Sequence, residues 1–324
     1  MSQGFGFDRD VPRNGYAWWY IDAISDDGQH ALTLIAFVGS VFSPYYAWAR
    51  RWQGAVGADP NEHCALNVGL YDLSAARRHG NLWTMTERGA AAVRRTTQSF
   101  QVGPSTVQWQ DNVLLATVNE WAVPWPKRVQ GSVRLTPSAN VAATDHSVAI
   151  DGAGQHFWRP IAPTARVLVE FAHPPMRWTG HAYLDSNYGA TALETAFKAW
   201  QWSRGSLADG STAVRYDITL ADGQQRQIAR RYAQCGEMSE MAVEAAHPTA
   251  STRWGIERAC HSTGLSAPTV AATLESGPFY ARSLIDTRWS DEPVAAVHES
   301  LSLARFANPV VQAMLPFRMP RRSN

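Results

Sequence analysis

A mainly β protein, built as two antiparallel barrel-like units in tandem with a few short helices, is the fold class this sequence predicts. Two observations carry it. Short apolar runs, many alternating with period two, recur along the chain, and Gly, Pro, Asn and Asp clusters separate them. The 324 residues, 45% hydrophobic, are enough for two ordinary domains or one large all-β domain.

The elements follow in order. AWWYIDAIS (17–25) and HALTLIAFVG (30–39) flank Asp26-Asp27-Gly28-Gln29, a hairpin signal. Strand-like runs then start at Cys64, Asn81, Ser105, Asn112 and Gln130, and Val107 and Trp109 alternate with Gln108 and Gln110. A second series begins at ARVLVEFA (165–172). It continues through WTGHAYLDSNYG, AWQWSRGSL, TAVRYDITLADG with a turn at Asp222-Gly223, RQIARRYAQ, TRWGIERA, FYARSLIDTRW and HESLSLARF. Pro160 and Pro163 mark the joint, so the domains are read as 1–165 and 166–324. Two segments read as helical: ALETAFKAW (192–200), with Leu193, Phe197 and Trp200 on one face, and the tail ANPVVQAMLPFRMP.

Composition excludes several classes. With 29 basic and 28 acidic residues the formal charge is +1, without the basic excess that nucleic-acid binding needs. The basic tail Arg318–Arg322 reads as a solvated terminus, with anionic lipid as the alternative contact. Three scattered cysteines, Cys64, Cys235 and Cys260, fit a reducing compartment and carry no zinc-ligand spacing. No apolar run of signal-peptide or membrane-spanning type is seen, so a cytoplasmic location is expected. No GxSxG, GxGxxG, phosphate-loop or HExxH motif is present, and DGAGQH at Asp151 reads as a glycine turn. Fourteen tryptophans fit either a large apolar pocket or a tryptophan-rich core.

The densest chemical segment is RWTGHAYLDSNYG (177–189). On an extended strand, His181, Tyr183, Asp185 and Asn187 project to one face. A carboxyl group there is either a satisfied structural aspartate or a proton donor kept neutral by desolvation. Asn187 either holds a water or caps the turn before Gly189. Asp22 is a second candidate buried acid. Tyr216-Asp217 faces opposite sides of a strand and reads as ordinary β structure.

The block GYAWWYIDAISDDGQHALTLIAFVGSVFSPYYAWARR, with GHAYLDSNYG and AWQWSRG, closely resembles the acyclic carotenoid 1,2-hydratases (hydroxyneurosporene synthases) of purple photosynthetic bacteria. The resemblance runs from about Gly15 to about Arg305. It implies tandem lipocalin-like barrels and a hydro-lyase that adds water to the terminal C1–C2 double bond of neurosporene- or lycopene-type carotenoids. Such a reaction needs an acid in a dry site and a stabilised tertiary cation, and no metal or redox cofactor. The family's Tyr-x-Asp segment falls on Tyr183-Leu184-Asp185, which implies Asp185 as proton donor and Tyr183 as its partner. The family's upstream tryptophan falls on Trp158 in GQHFWRP, implied as the cation stabiliser. Trp178, His181, Asn187, Trp200 and Trp202 are the further substrate-binding candidates.

An apolar tunnel near the junction of the halves, ending at Asp185, is expected. Because a long polyene does not partition into water, transient contact with the inner, photosynthetic membrane is expected too. Three other readings stay open: a non-catalytic carrier of a pigment or lipid, an isoprenoid cyclase that starts from the same cation, and a structural protein of a pigment complex.

Overall fold

The computed structural model describes residues 6–74, 81–139, 147–264 and 267–322, and they fold mainly as antiparallel β-structure. The chain divides after Ala192: residues up to Ala192, with Gln312 onward, form one compact unit, and Leu193–Val311 form the other.

The first unit holds β1 (Tyr16–Ser25), β2 (His30–Val38), β3 (Cys64–Asp72), β4 (Leu82–Arg88), β5 (Val93–Arg95) and β6 (Ser99–Val102). It continues with β7 (Ser105–Gln110), β8 (Val113–Trp121), β9 (Arg128–Pro137), β10 (Val148–Ala149), β11 (His156–His173) and β12 (Pro175–Gly189), and helix α1 (Pro44–Trp52) follows β2. One sheet runs β4-β3-β2-β1-β12-β11-β9-β8-β7-β6-β5, with β10 on the side of β11. Its long central hairpin, β11–β12, sits between β1 and β9.

The sheet curls on itself as a half-barrel. Trp19 of β1 lies 6.1 Å from Phe100 of β6, though five strands separate the two along the sheet. One contiguous core fills the concave face, from Leu34, Leu66 and Val68 on one side to Val107, Leu114 and Val133 on the other. The buried Arg88 guanidinium makes a two-pronged ion pair with Glu120 at 3.1 and 2.9 Å, tying β4 to β8 across the curl. Gly103 (φ +56°) lies against that guanidinium, and a Cβ there would come within 2.4 Å of Nε.

The second unit contains β13 (Phe197–Ser206), β14 (Thr212–Leu220), β15 (Gln225–Tyr232), β16 (Met238–Glu240), β17 (Ala246–Thr249), β18 (Arg258–His261), β19 (Thr269–Ser276), β20 (Tyr280–Trp289) and β21 (Glu292–Ser302). Seven of these form a sheet in the order β16-β15-β14-β13-β21-β20-β19, and β17 pairs with β18. The short strand β22 (Arg321–Arg322) returns to the first unit and pairs in parallel with β4. Three short helices accompany these strands: α2 (Leu193–Ala196), α3 (Leu303–Phe306) and α4 (Pro309–Met314).

The two hairpin turns lie where the sequence places them, with Gly28 and Gly223 at φ +67° and +94°. Two expectations change. Residue 165 is no joint: Pro160 and Pro163 lie inside β11, where the pairing with β12 shifts register. Proline lacks an N–H and is tolerated at such irregularities. The segment 192–200 is helical only through Ala196, and Phe197 and Trp200 then enter β13. There the ladder to β14 skips a residue between Phe197 and Ala199, which keeps both aromatic rings buried.

Candidate active site

β1 reads YAWWYIDAIS because both of its faces are covered. Ala17, Trp19, Ile21 and Ala23 point into the concave core, while Tyr16, Trp18, Tyr20 and Asp22 alternate onto the other face, also buried. The antiparallel register sets β12 beside them: Trp18 opposite Asn187, Tyr20 opposite Asp185, Asp22 opposite Tyr183. On the far side of β12, Trp158 lies opposite Asn187 and Pro160 opposite Asp185. Three neighbouring strands thus build one largely aromatic face around Asp185. It lies on the sheet face opposite the filled concave core.

Asp185 is 3% exposed. Its Oδ2 accepts two hydrogen bonds, from Trp158 Nε1 at 2.7 Å and from Tyr183 Oη at 2.9 Å. Trp158 and Tyr183 are fully buried, and Tyr20 meets the Tyr183 ring edge-on at 6.3 Å between centroids. Both donors converge on one oxygen, so the orientation of the carboxyl group is fixed and its Oδ1 is turned away from them. Asp22 is also fully buried on this face. It is a diagonal cross-strand neighbour of Asp185, a spacing of roughly 7–8 Å between backbones.

The row ends at His156, two residues before Trp158. Its Nδ1 and Tyr16 Oη share a hydrogen bond of 2.9 Å, and its Nε2 contacts Thr191 Oγ1 at 3.0 Å. Burial holds the imidazole below its ordinary pKa and, with the Asp151 charge, pushes Tyr16 far above its own, so both are neutral at pH 7. Asp151 in the glycine turn accepts from the backbone N–H groups of Gln155 and His156 at 3.0 and 3.1 Å, which fixes the start of β11.

The structure therefore brings Asp185, Tyr183, Trp158 and Asn187 together. Trp178 does not join them: its even position turns it into the concave core, where it stacks on His30 at 6.2 Å. His181 shares the Asp185 face but sits at its exposed end, 4.0 Å from Asp26. Asp26 is held by Arg166 and Thr179, and the Arg166 hydrogen bond draws its pKa down to about 2. Trp200 and Trp202 belong to β13 of the second unit, with Trp200 packed edge-on against Phe197 and Tyr216. Sequence reasoning did not single out Trp18, Tyr20 or His156. Only the β1–β12 register reveals the first two, whereas His156 was detectable by its period-two spacing from Trp158.

Known proteins show which family the chain belongs to. A model of the family described as "Carotenoid hydratase CrtC" matches residues 34–324. An acyclic carotenoid 1,2-hydratase of Thiocapsa roseopersicina is 48% identical over 322 residues, 99% of this chain and 76% of that protein. Its counterpart in Rubrivivax gelatinosus is 45% identical over 317 residues, 98% of this chain and 76% of that one.

The chain belongs to the carotenoid hydratase family.

Solved structures place this carotenoid hydratase family member within a wider lipocalin-like fold. A candidate AttH from Nitrosomonas europaea superimposes with a TM-score of 0.63 at 15% identity, covering 93% of this chain and 97% of that one. Kievitone hydratase from Nectria haematococca gives 0.59 at 12% identity, covering 95% of each chain. At such low identity these two show the fold alone.

Proposed function

We propose that this protein is an acyclic carotenoid 1,2-hydratase in which Asp185 is the acid. One observation carries the reading. A buried carboxyl group, oriented by Trp158 and Tyr183 through the same oxygen, stands on a face rich in aromatic rings.

The chemistry follows from that geometry. Oδ2 already accepts two hydrogen bonds, so the proton to be transferred resides on Oδ1. Burial beside a second carboxyl group, Asp22, favours the neutral acid, because two carboxylates on one dry face resist ionising together. Transfer of that proton to C2 draws the π electrons into the new C–H bond and leaves a tertiary cation at C1. The Trp158 and Tyr183 donors then stabilise the developing carboxylate, and the rings of Trp158, Tyr183 and Tyr20 on the same face supply π-systems for the cation. A face-on cation–π contact is worth about 2 kcal/mol where water is excluded. Water adds at C1 and loses a proton to Asp185, which restores the acid. The sum is addition of one water, with no change of oxidation level.

A polyene must reach this face from a bilayer. Among the described residues no helix is long and apolar enough to cross one. The first unit does expose Trp52, Trp125 and Phe317 at 80%, 79% and 79%, with Arg51, Lys127 and Arg318 one or two positions away in sequence. Aromatic and basic side chains together suit the headgroup region of an anionic bilayer, and transient docking through these residues completes the proposal.

Incubation of the purified protein with lycopene or neurosporene in detergent, followed by chromatography and mass analysis, tests the reading. A product one water heavier is expected. Tight pigment binding with no product would replace it with the carrier reading.

A further inference from the structure

On the hydratase reading, the structure points to Asn187 as the residue that holds the attacking water. The Asn187 side chain is 3% exposed and lies between Trp18 of β1 and Trp158 of β11 in the ladder. Its Nδ2 is buried and has no hydrogen-bond partner among the described residues. The Trp158 N–H beside it is committed to Asp185, and an indole ring offers no good acceptor. A buried amide N–H without a partner is costly, so such a group is retained where a ligand or a water supplies the acceptor.

Spacing supplies the second argument. Asn187 stands two residues from Asp185 on the same face, roughly 7 Å along the strand. Side chains reaching over one alkene from these two positions can set the acid about 3 Å from C2 and a water, itself about 3 Å from the amide, about 3 Å from C1 and within reach of the carboxylate. Asp185 and Asn187 therefore lie where the two ends of one C1=C2 bond need an acid and a nucleophile. An amide suits the second role: Nδ2–H donates to one lone pair of the water, Oδ1 accepts one of its protons, and the other lone pair stays directed at the cation. A carboxylate there would instead remove a proton from the cation and return the alkene.

Asn187 is thus a positioning residue, and its loss changes what happens to the cation rather than whether it forms. The test compares wild type, Asn187→Ala, Asn187→Ser and Asp185→Asn in D2O with lycopene. Hydrated product and deuterium in the recovered alkene are both measured, with thermal melting as the check on folding. Asn187→Ala should lose at least 10-fold in hydration while still placing deuterium in the alkene, because the cation forms and then gives up a proton. Asn187→Ser, which keeps a small hydrogen-bonding group, should recover part of the hydration. Asp185→Asn should lose both. Undiminished hydration by Asn187→Ala overturns the inference and leaves the hydratase reading intact. So does parallel loss of hydration and exchange in folded Asn187→Ala and Asn187→Ser. A wild type that neither hydrates nor exchanges overturns the hydratase reading, and the inference with it.

Discussion

Trp158 and Asp185 are 27 residues apart in the chain, yet the indole N–H of one meets the Oδ2 of the other at 2.7 Å. The long hairpin of β11 and β12 makes this possible by laying Trp158 beside Asn187 and Pro160 beside Asp185. Tyr183 reaches the same oxygen at 2.9 Å along its own strand. The acid is held from two directions, and the two donors share one acceptor.

That shared acceptor predicts non-additive loss. Trp158→Phe keeps most of the aromatic surface and removes one donor, and Tyr183→Phe removes the other. Each should lower kcat by roughly 100- to 1000-fold, by analogy with a lost charge-stabilising donor. The double variant should fall short of the product of the two, because both act on the same oxygen. Steady-state kinetics on the three variants measures this, and fully multiplicative losses would mean that the donors act independently.

The second unit carries a pH dependence of stability. Burial, with Arg258 nearby, lowers the pKa of His298 to about 3, while Ser203 Oγ at 2.7 Å engages its ring. The unfolded chain takes up this proton near pH 6.5 and the folded chain does not, so stability falls as pH drops from about 6.5 towards 3. The full effect is on the order of 5 kcal/mol. His156 in the first unit, also lowered by burial, has the same sign. His261 has the opposite sign. Although burial pushes its pKa down, the Asp217 hydrogen bond and charge raise it overall, giving stability that is present below about pH 6.5 and lost above its folded value. Urea unfolding at pH 7, 5 and 4 should show a net loss towards acid. His298→Gln should flatten that slope.

The Arg88–Glu120 pair joins β4 to β8 across the curl of the sheet. Glu120→Gln leaves the Arg88 charge buried without a countercharge and also alters the Ser105 hydrogen bond, 3.0 Å from Oε1. A destabilisation of roughly 3–5 kcal/mol is expected, read as a lower thermal midpoint. Substitution of both partners by apolar residues should cost less than the single change.

Membrane delivery makes a prediction separable from chemistry. Alanine at Trp52, Trp125 and Phe317 together should weaken sedimentation with anionic phospholipid vesicles. Turnover of detergent-dispersed carotenoid should stay within about twofold, since substitutions at exposed side chains usually change stability by no more than about 0.5 kcal/mol and leave the buried acid and its donors in place. Unchanged vesicle binding would place the contact elsewhere on the molecule.

What was legible in the sequence follows from what is local. Hairpins at Gly28 and Gly223 and the shared face of Tyr183, Asp185 and Asn187 depend only on turn chemistry and period two, and the structure has them. Trp178 has the wrong parity for that face, and nearness in sequence was a misleading guide. His181 has the right parity but lies where β12 emerges into solvent. Tyr20 and Asp22 join the acid only through the β1–β12 register, which neither strand encodes alone. At 192–200, helical spacing of Leu193, Phe197 and Trp200 lost to pairing of β13 with β14 and β21, because tertiary burial outweighs local propensity.

The most direct test of the account is hydration of lycopene or neurosporene by Asp185→Asn beside the wild type. The amide is nearly isosteric and its oxygen can still accept from Trp158 and Tyr183, so the variant should keep its fold and melting temperature. It cannot deliver a proton, and turnover should fall by at least about 1000-fold, as expected when an essential acid is removed. A folded Asp185→Asn that hydrates its substrate at the wild-type rate would contradict the central claim and move the acid elsewhere, with Asp22 on the same face the first alternative.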